Sequence, residues 1–467
     1  MLFNSLDFVI FFLVVLALNQ VLRKSSTAQK LMLLAASYYF YGQWEWSYLA
    51  LILFSTIVDY TIGMRLAASR HRRRLIAFSV VLNLGFLGVF KYANWLIATL
   101  NHGAELANAA FHITPIDILL PVGISFYTFQ SLSYTIDVYR RELPPRRNLI
   151  EYALFVAFFP QLVAGPIVRA DEFFGELDGD WSPAPVDVQR ALSLIVLGYV
   201  KKIVFADNLA LVVDPVFNHP AAHGFWDTLL AVYAFAFQIY CDFSGYTDIA
   251  IGCALLLGFR FPLNFNYPYV AESFQDFWHR WHITLSRWLR DYLYISLGGN
   301  RKGRARTYAN LMLTMLLGGL WHGAGWNFLI WGGLHGLYLA FERSVLFRWR
   351  WWRSKIWPMH VVRVFVVFQL VSFAWIFFRA HTLEHTRQIL SNLSHVSGTS
   401  FSSGDHLGLS LLLVSLFILQ FVGGYGHLKQ RLATSRGPLF VGVVVLAVLL
   451  MVWFTPAQTI PFIYFQF

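Results

Sequence analysis

Long, predominantly apolar runs recur along this chain and limit its possible folds more than any single motif does. Phe8 to Val21, Tyr48 to Met64, Leu75 to Leu100 and Leu439 to Phe454 are four of them. An α-helix rises about 1.5 Å per residue and a bilayer's hydrocarbon core is about 30 Å thick, so roughly 20 such residues make one crossing. With 467 residues there is room for about ten to twelve crossings and their loops. Composition agrees: 57% of residues are hydrophobic and 13% charged, where a soluble domain carries about 25% charged residues. A water-soluble enzyme and a disordered chain are both excluded on those figures. Two cysteines are too few for a disulfide scaffold.

The 36 Lys+Arg and 25 Asp+Glu leave a formal charge of +11. Nucleic-acid binders gather positive charge on a polar domain, but here it falls in short clusters between apolar runs. Such clusters read as cytoplasmic loops facing anionic lipid, so the expected partner is a bilayer and not a nucleic acid. Cys241 and Cys253 lie in or beside apolar runs, where a thiol behaves as a small hydrophobe.

The first run has its basic residues, Arg23 and Lys24, after the apolar stretch and no small-residue cleavage site. It therefore reads as a retained span with its N-terminus outside, not a signal peptide. The second run ends at the aromatic turn Tyr41-Gly42-Gln43-Trp44-Glu45-Trp46, which suits a headgroup belt. The third stops at a basic loop, Arg65 and Arg70 to Arg74 with His71. Leu75 to Leu100 crosses outward, and Ile116 to Val138 returns to a second basic loop of Arg140, Arg141, Arg146 and Arg147. Asp171 to Asp180 reads as external. Lys201 and Lys202 interrupt the next run, implying a broken or early-ending helix. Leu229 to Tyr240, Ile249 to Leu257, Ala309 to Leu320 and Phe328 to Phe341 are short for a crossing, and re-entrant or tilted pieces shielded from lipid would explain them. There is no fixed-period repeat and no domain linker.

Three polar constellations stand out. As one helix, Ser273 to Tyr294 has an aromatic stripe of Phe274, Phe277, Trp278, Trp281, Leu285, Trp288 and Tyr292 opposite His279, Arg280, Arg287 and Arg290. This pattern fits a helix lying in the interface with its aromatics in lipid, and His282 sits at the flank of the stripe. His279 and His282 stand three apart, but a metal site needs a third ligand and none is grouped nearby, so no metal is expected. The second constellation, Gly318-Gly319-Leu320-Trp321-His322-Gly323-Ala324-Gly325-Trp326-Asn327, strips side chains from one region so that a neighbouring helix or a ligand can approach. His322 is placed in that region, where an imidazole can take and return a proton near neutral pH or be a buried, carbonyl-bonded structural group. His335, thirteen positions on, falls on nearly the opposite face of a continuous helix and reads as structural. The third constellation, Tyr240 to Asp248, puts Asp242 and Asp248 between apolar runs. It either lines a polar cavity or caps a helix with Asp248 in the first turn.

Pro121 to Gln130, Phe159 to Ile167, Asp242-Phe243-Ser244-Gly245-Tyr246, Phe277 to His282 and Trp321-His322-Gly323, in this order, resemble the membrane-bound O-acyltransferase superfamily, and most closely its bacterial polysaccharide O-acetylation branch. The resemblance runs from about Met1 to Phe378. It implies an all-α, polytopic membrane protein forming a single integral membrane domain over 1–467. About eleven transmembrane helices, with re-entrant or interfacial ones, would make a funnel around a central tunnel. It implies His322 as the catalytic imidazole and His282, where other branches carry Asn or Asp, as its second motif histidine. Trp278, Arg280, Trp321, Asn327 and Asp242 in those motifs become the candidate substrate-binding residues. The implied activity is acetyl transfer from a cytoplasmic thioester, acetyl-CoA, toward an extracytoplasmic polysaccharide such as alginate. A periplasmic SGNH-like partner would complete transfer, and the location would be the bacterial inner membrane. No permanently bound cofactor is expected. A passive acyl conduit and D-alanyl transfer to teichoic acid are the alternatives.

Overall fold

The computed structural model describes residues 1–463 apart from 2, 164, 179–187, 350, 351, 353, 355, 397–403, 427, 436 and 459. It is 79% helical, without a strand among the described residues. By length and composition six stretches suit a crossing: Leu6–Lys24, Trp46–Ala68, Arg72–Leu106, Trp357–Arg379, His406–Gly424 and Gly437–Phe454. The chain forms two compact units.

The first unit, Met1–Val186 with Cys253–Pro262, contains helices α1 (Leu6–Val21), α2 (Ser26–Gly42), α3 (Leu49–Ala68), α4 (Arg72–Leu87), α5 (Ala93–Leu106), α6 (Ile124–Arg140), α7 (Leu149–Ala157), the single turn α8 (Phe159–Leu162) and α9 (Ala170–Asp178). Lipid reverses the soluble pattern: Leu6, Leu13 and Val81 are exposed on the flanks, while polar residues are buried. Asp59 accepts from the Ser79 hydroxyl at 2.7 Å and the Asn83 amide at 2.8 Å, tying α3 to α4. The run expected to return from Ile116 becomes helical at Ile124, because Pro121 and the left-handed Gly123 (φ 76°) set the start of α6. Arg146, read as part of a basic loop, instead pairs with Glu151 and Asp178, both at 2.5 Å. Residues 179 and 180 of the acidic stretch lie outside the described residues.

The second unit, Asp187–Gly252 with Leu263–Phe467, continues with α10 (Val188–Tyr199), α11 (Asp207–Asn218), α12 (Phe225–Leu256, all but its last four residues), α13 (Phe274–Arg280), α14 (Ile283–Trp288), α15 (Gly303–His322), α16 (Trp326–Ser344), α17 (Trp357–Arg379), α18 (Leu383–Ser394), α19 (Gly404–Gly426), α20 (Leu428–Ala433) and α21 (Gly437–Phe454). Leu229 to Tyr240 and Ile249 to Leu257 are not separate short pieces. They belong to α12, 32 residues long, and Asp242 and Asp248 lie in its middle, not at an N-cap. Buried lysines offset their charge: Asp248 meets Lys201 and Lys429, each at 2.6 Å, and Lys202 lies 2.9 Å from Asp242 and 2.7 Å from Asp207. The break expected at Lys201 and Lys202 is a π-helical stretch, Val200–Ala206.

The interfacial helix expected over Ser273 to Tyr294 is also corrected. It breaks between α13 and α14 at His282, whose φ is 42°, and continues as a π-turn, Leu289–Tyr294. Phe274, Phe277, Trp281 and Leu285 are at most 1% exposed, so the aromatic stripe packs against protein instead of lipid.

Candidate active site

α15 and α16 form a hairpin whose turn is Gly323-Ala324-Gly325. They touch through glycine. A Cβ on Gly319 would collide with the Phe328 carbonyl, and one on Gly332 with the Met315 carbonyl. The glycines flanking His322 therefore admit a neighbouring helix, one of the two uses expected of them. The turn also overturns the wheel argument for His335. His335 lies edge-on to Trp331, one turn away on α16, at 4.9 Å, and because the chain reverses Trp331 stands edge-on to His322 of α15 at 5.1 Å. His335 is fully buried among Phe277, Trp278, Trp331 and Tyr338, and neither ring nitrogen has a hydrogen-bond partner.

His322, the last residue of α15, is 4% exposed. Trp321, Trp331 and Phe378 surround it at 5.0, 5.1 and 5.3 Å between ring centroids. Its remaining side faces a cavity of about 640 Å³, lined also by Trp278, Leu285, Arg287, Met315, Trp331 and Arg343. Trp331 and Arg343 are twelve residues apart on α16, so the cavity extends about 18 Å along that helix. It thus joins an arginine at the end of α16 to an imidazole deep among aromatic rings. The aromatic rings packed around His322 lower the local dielectric and strengthen any charge–dipole contact made to that imidazole.

His282 sits behind this wall, fully buried, with its ring 6.4 Å from that of His322. Its setting depends on Asn264. The Asn264 Oδ1 accepts from the Thr284 backbone N–H at 3.2 Å and the Thr284 hydroxyl at 2.9 Å, and it lies 3.1 Å from His282 Nδ1. Since a backbone N–H needs an acceptor, that atom is the amide oxygen, and the proton on His282 belongs on Nδ1. Nε2 is left as a bare nitrogen, buried and without a hydrogen-bond partner. The backbone is held by the same residue, because Ile283 N–H donates to the Asn264 carbonyl at 2.9 Å.

The other candidates divide clearly. Trp278 lines the cavity, and Trp321 packs between the imidazoles, 5.0 Å from His322 and 6.0 Å from His282. Three are engaged elsewhere and do not line the cavity. Arg280 donates to Asp276 at 2.9 Å, Asn327 donates to the Ala380 carbonyl at 2.7 Å, and Asp242 meets Lys202 and accepts from the Ile463 backbone N–H at 2.6 Å. Sequence reasoning missed Asn264 and Trp331. Asn264 lies eighteen residues before its histidine in an aromatic loop, a spacing that no helix or strand period marks.

The model of MBOAT, the membrane-bound O-acyltransferase family, matches residues 139–379, a span that includes His282 and His322. The chain is 41% identical over 408 residues to "Probable alginate O-acetylase AlgI" of Azotobacter vinelandii, covering 84% of this chain and 78% of that one. It is 35% identical over 433 residues to "Peptidoglycan O-acetyltransferase" of Helicobacter pylori, covering 86% and 81%. A more distant relative is "Teichoic acid D-alanyltransferase" of Bacillus subtilis, 26% identical over 290 residues, covering 59% and 72%.

Proposed function

Because this chain belongs to the membrane-bound O-acyltransferase family and is an acyltransferase, we propose that the group it moves is acetyl, taken from a cytoplasmic thioester such as acetyl-CoA and sent toward an extracytoplasmic polysaccharide. Alginate or a similar polymer is the final acceptor, and a periplasmic SGNH-like transferase completes delivery from the bacterial inner membrane. The observation that carries this reading is His322, packed among Trp321, Trp331 and Phe378, on the wall of a cavity of about 640 Å³. An imidazole there can exchange a proton with a nucleophile that meets an acyl group in the cavity.

In this scheme His322 takes the proton of the attacking hydroxyl as its oxygen bonds to the thioester carbonyl carbon. The C–S bond then breaks, the new ester leaves, and the proton passes to the departing thiolate. His282, with its tautomer set by Asn264, holds the geometry around His322 and Trp321. The names of the A. vinelandii and H. pylori relatives support an acetyl group, and the lower identity to the D-alanyltransferase argues against alanyl transfer.

The test uses the purified chain in bilayers with acetyl-CoA and a soluble hydroxyl acceptor. General-base assistance is worth about 10²–10⁴-fold, so His322→Ala should lose at least a hundredfold in turnover while eluting as the folded protein does. Wild-type turnover by His322→Ala would refute the assignment, and a purified chain that never consumes thioester would favour a passive conduit.

A further inference from the structure

We propose that the first unit carries a binding site for phosphate groups, built from two arginine clusters that lie far apart in the sequence. Arg70 comes from the turn between α3 and α4, Arg72, Arg73 and Arg74 from the first turn of α4, and Arg140 and Arg141 from the end of α6. Together with His71 and Tyr139 they line one cavity of about 580 Å³. Arg72 joins the clusters. Its guanidinium donates to the Val138 carbonyl at 3.0 Å and the Tyr139 carbonyl at 2.6 Å, and it lies 5.7 Å from the Tyr139 ring centroid. Those carbonyls sit at the negative end of α6, so the contact is favourable in its own right. It leaves the other five guanidiniums grouped around a hollow. No Asp or Glu is among the described residues that line it. Glu142, 3.9 Å from Arg140, is the nearby exception and stands outside the lining.

Orientation in the membrane does not account for this arrangement. The positive-inside bias counts basic residues in a loop and is satisfied by lysine or arginine, scattered or grouped. Here all six basic side chains other than His71 are arginine, the residue whose planar fork matches two phosphate oxygens at once. Holding six like charges around one concavity is unfavourable until an anion enters it. The cavity also lies at the end of two candidate spans, Trp46–Ala68 and Arg72–Leu106, whose Ile57, Phe78 and Val81 are exposed. A phosphate there is within reach from a lipid headgroup with its acyl chains along those flanks, or from the phosphates of coenzyme A in solution.

The experiment measures binding and needs no turnover, so it is separate from the acyl-transfer test. The full chain is purified in neutral phosphatidylcholine nanodiscs. Two arms follow: titration with coenzyme A alone, and exchange with vesicles of phosphatidylglycerol and cardiolipin in phosphatidylcholine. Binding in either arm is expected to weaken at least about tenfold in the triple variant Arg73→Gln, Arg74→Gln, Arg141→Gln. A second triple variant, Arg73→Lys, Arg74→Lys, Arg141→Lys, keeps the charge and hence the orientation but loses the forks, and should fall between wild type and the glutamine variant. The arm that responds identifies the source of the phosphate. The proposal is overturned if neither probe binds the wild-type protein above a phosphatidylcholine control, or if the glutamine variant binds as wild type does.

Discussion

Replacing Asn264 is the sharpest test of how the second imidazole is held. Its Oδ1 serves three groups: His282 Nδ1, the Thr284 backbone N–H and the Thr284 hydroxyl. In Asn264→Ala the hydroxyl can rotate toward another acceptor, leaving two buried donors unbonded. At about 1–3 kcal/mol for each, the loss of stability should be about 2–6 kcal/mol. The chemical effect is separate. Without an acceptor at Nδ1, the His282 proton is free to occupy either nitrogen, and turnover per folded molecule should fall at least about tenfold. Asn264→Asp keeps an oxygen at the same place and should retain most of the activity, so it distinguishes the tautomer argument from simple unfolding. The assay is thioester consumption by protein that elutes as folded from size exclusion, read together with melting temperature. Wild-type turnover in the alanine variant, or an aspartate variant as inactive as alanine, would refute the reasoning.

Other expectations follow from the same contacts. His335→Phe removes two buried nitrogens that make no hydrogen bond and keeps the ring against Trp331, so melting temperature should hold or rise, by about 1 kcal/mol in stability, with turnover unchanged; loss of turnover would give His335 a chemical role. Lys202→Met leaves Asp207 and Asp242 buried without their shared cation and should cost about 3–5 kcal/mol by denaturant or thermal unfolding, with part of it recovered on adding Asp242→Asn. Glu272, in the loop before α13, is raised by partial burial, but Arg363 and His360 more than reverse this and hold its carboxyl below the usual range. A lowered carboxyl contributes stability above its unfolded pKa and loses it as pH falls through the folded one, so melting temperature should drop on acidification below about pH 4.5, and Glu272→Gln should flatten that dependence.

Much of this molecule is readable before any contact is known. Apolar length is a property of one segment at a time, so α1, α3 and α21 are recognisable from the runs at Phe8 to Val21, Tyr48 to Met64 and Leu439 to Phe454. His322 is conspicuous for the same reason: an imidazole among glycines stands out inside an apolar run. Hydrogen-bonding and ion-pair partners are properties of two segments at once, and there the sequence is silent. The central carboxylates made α12 look like two short pieces because Lys201, Lys202 and Lys429, which offset them, lie 40 to 181 residues away. Period counting cannot place His335 relative to His322, because a helix wheel assumes one axis and the chain turns back at Gly323. The bare nitrogen of His282 follows from Asn264 meeting it across a loop. Membrane-crossing length was decided by local side-chain chemistry, whereas burial, protonation and pairing were decided by which distant groups the packed helices bring together.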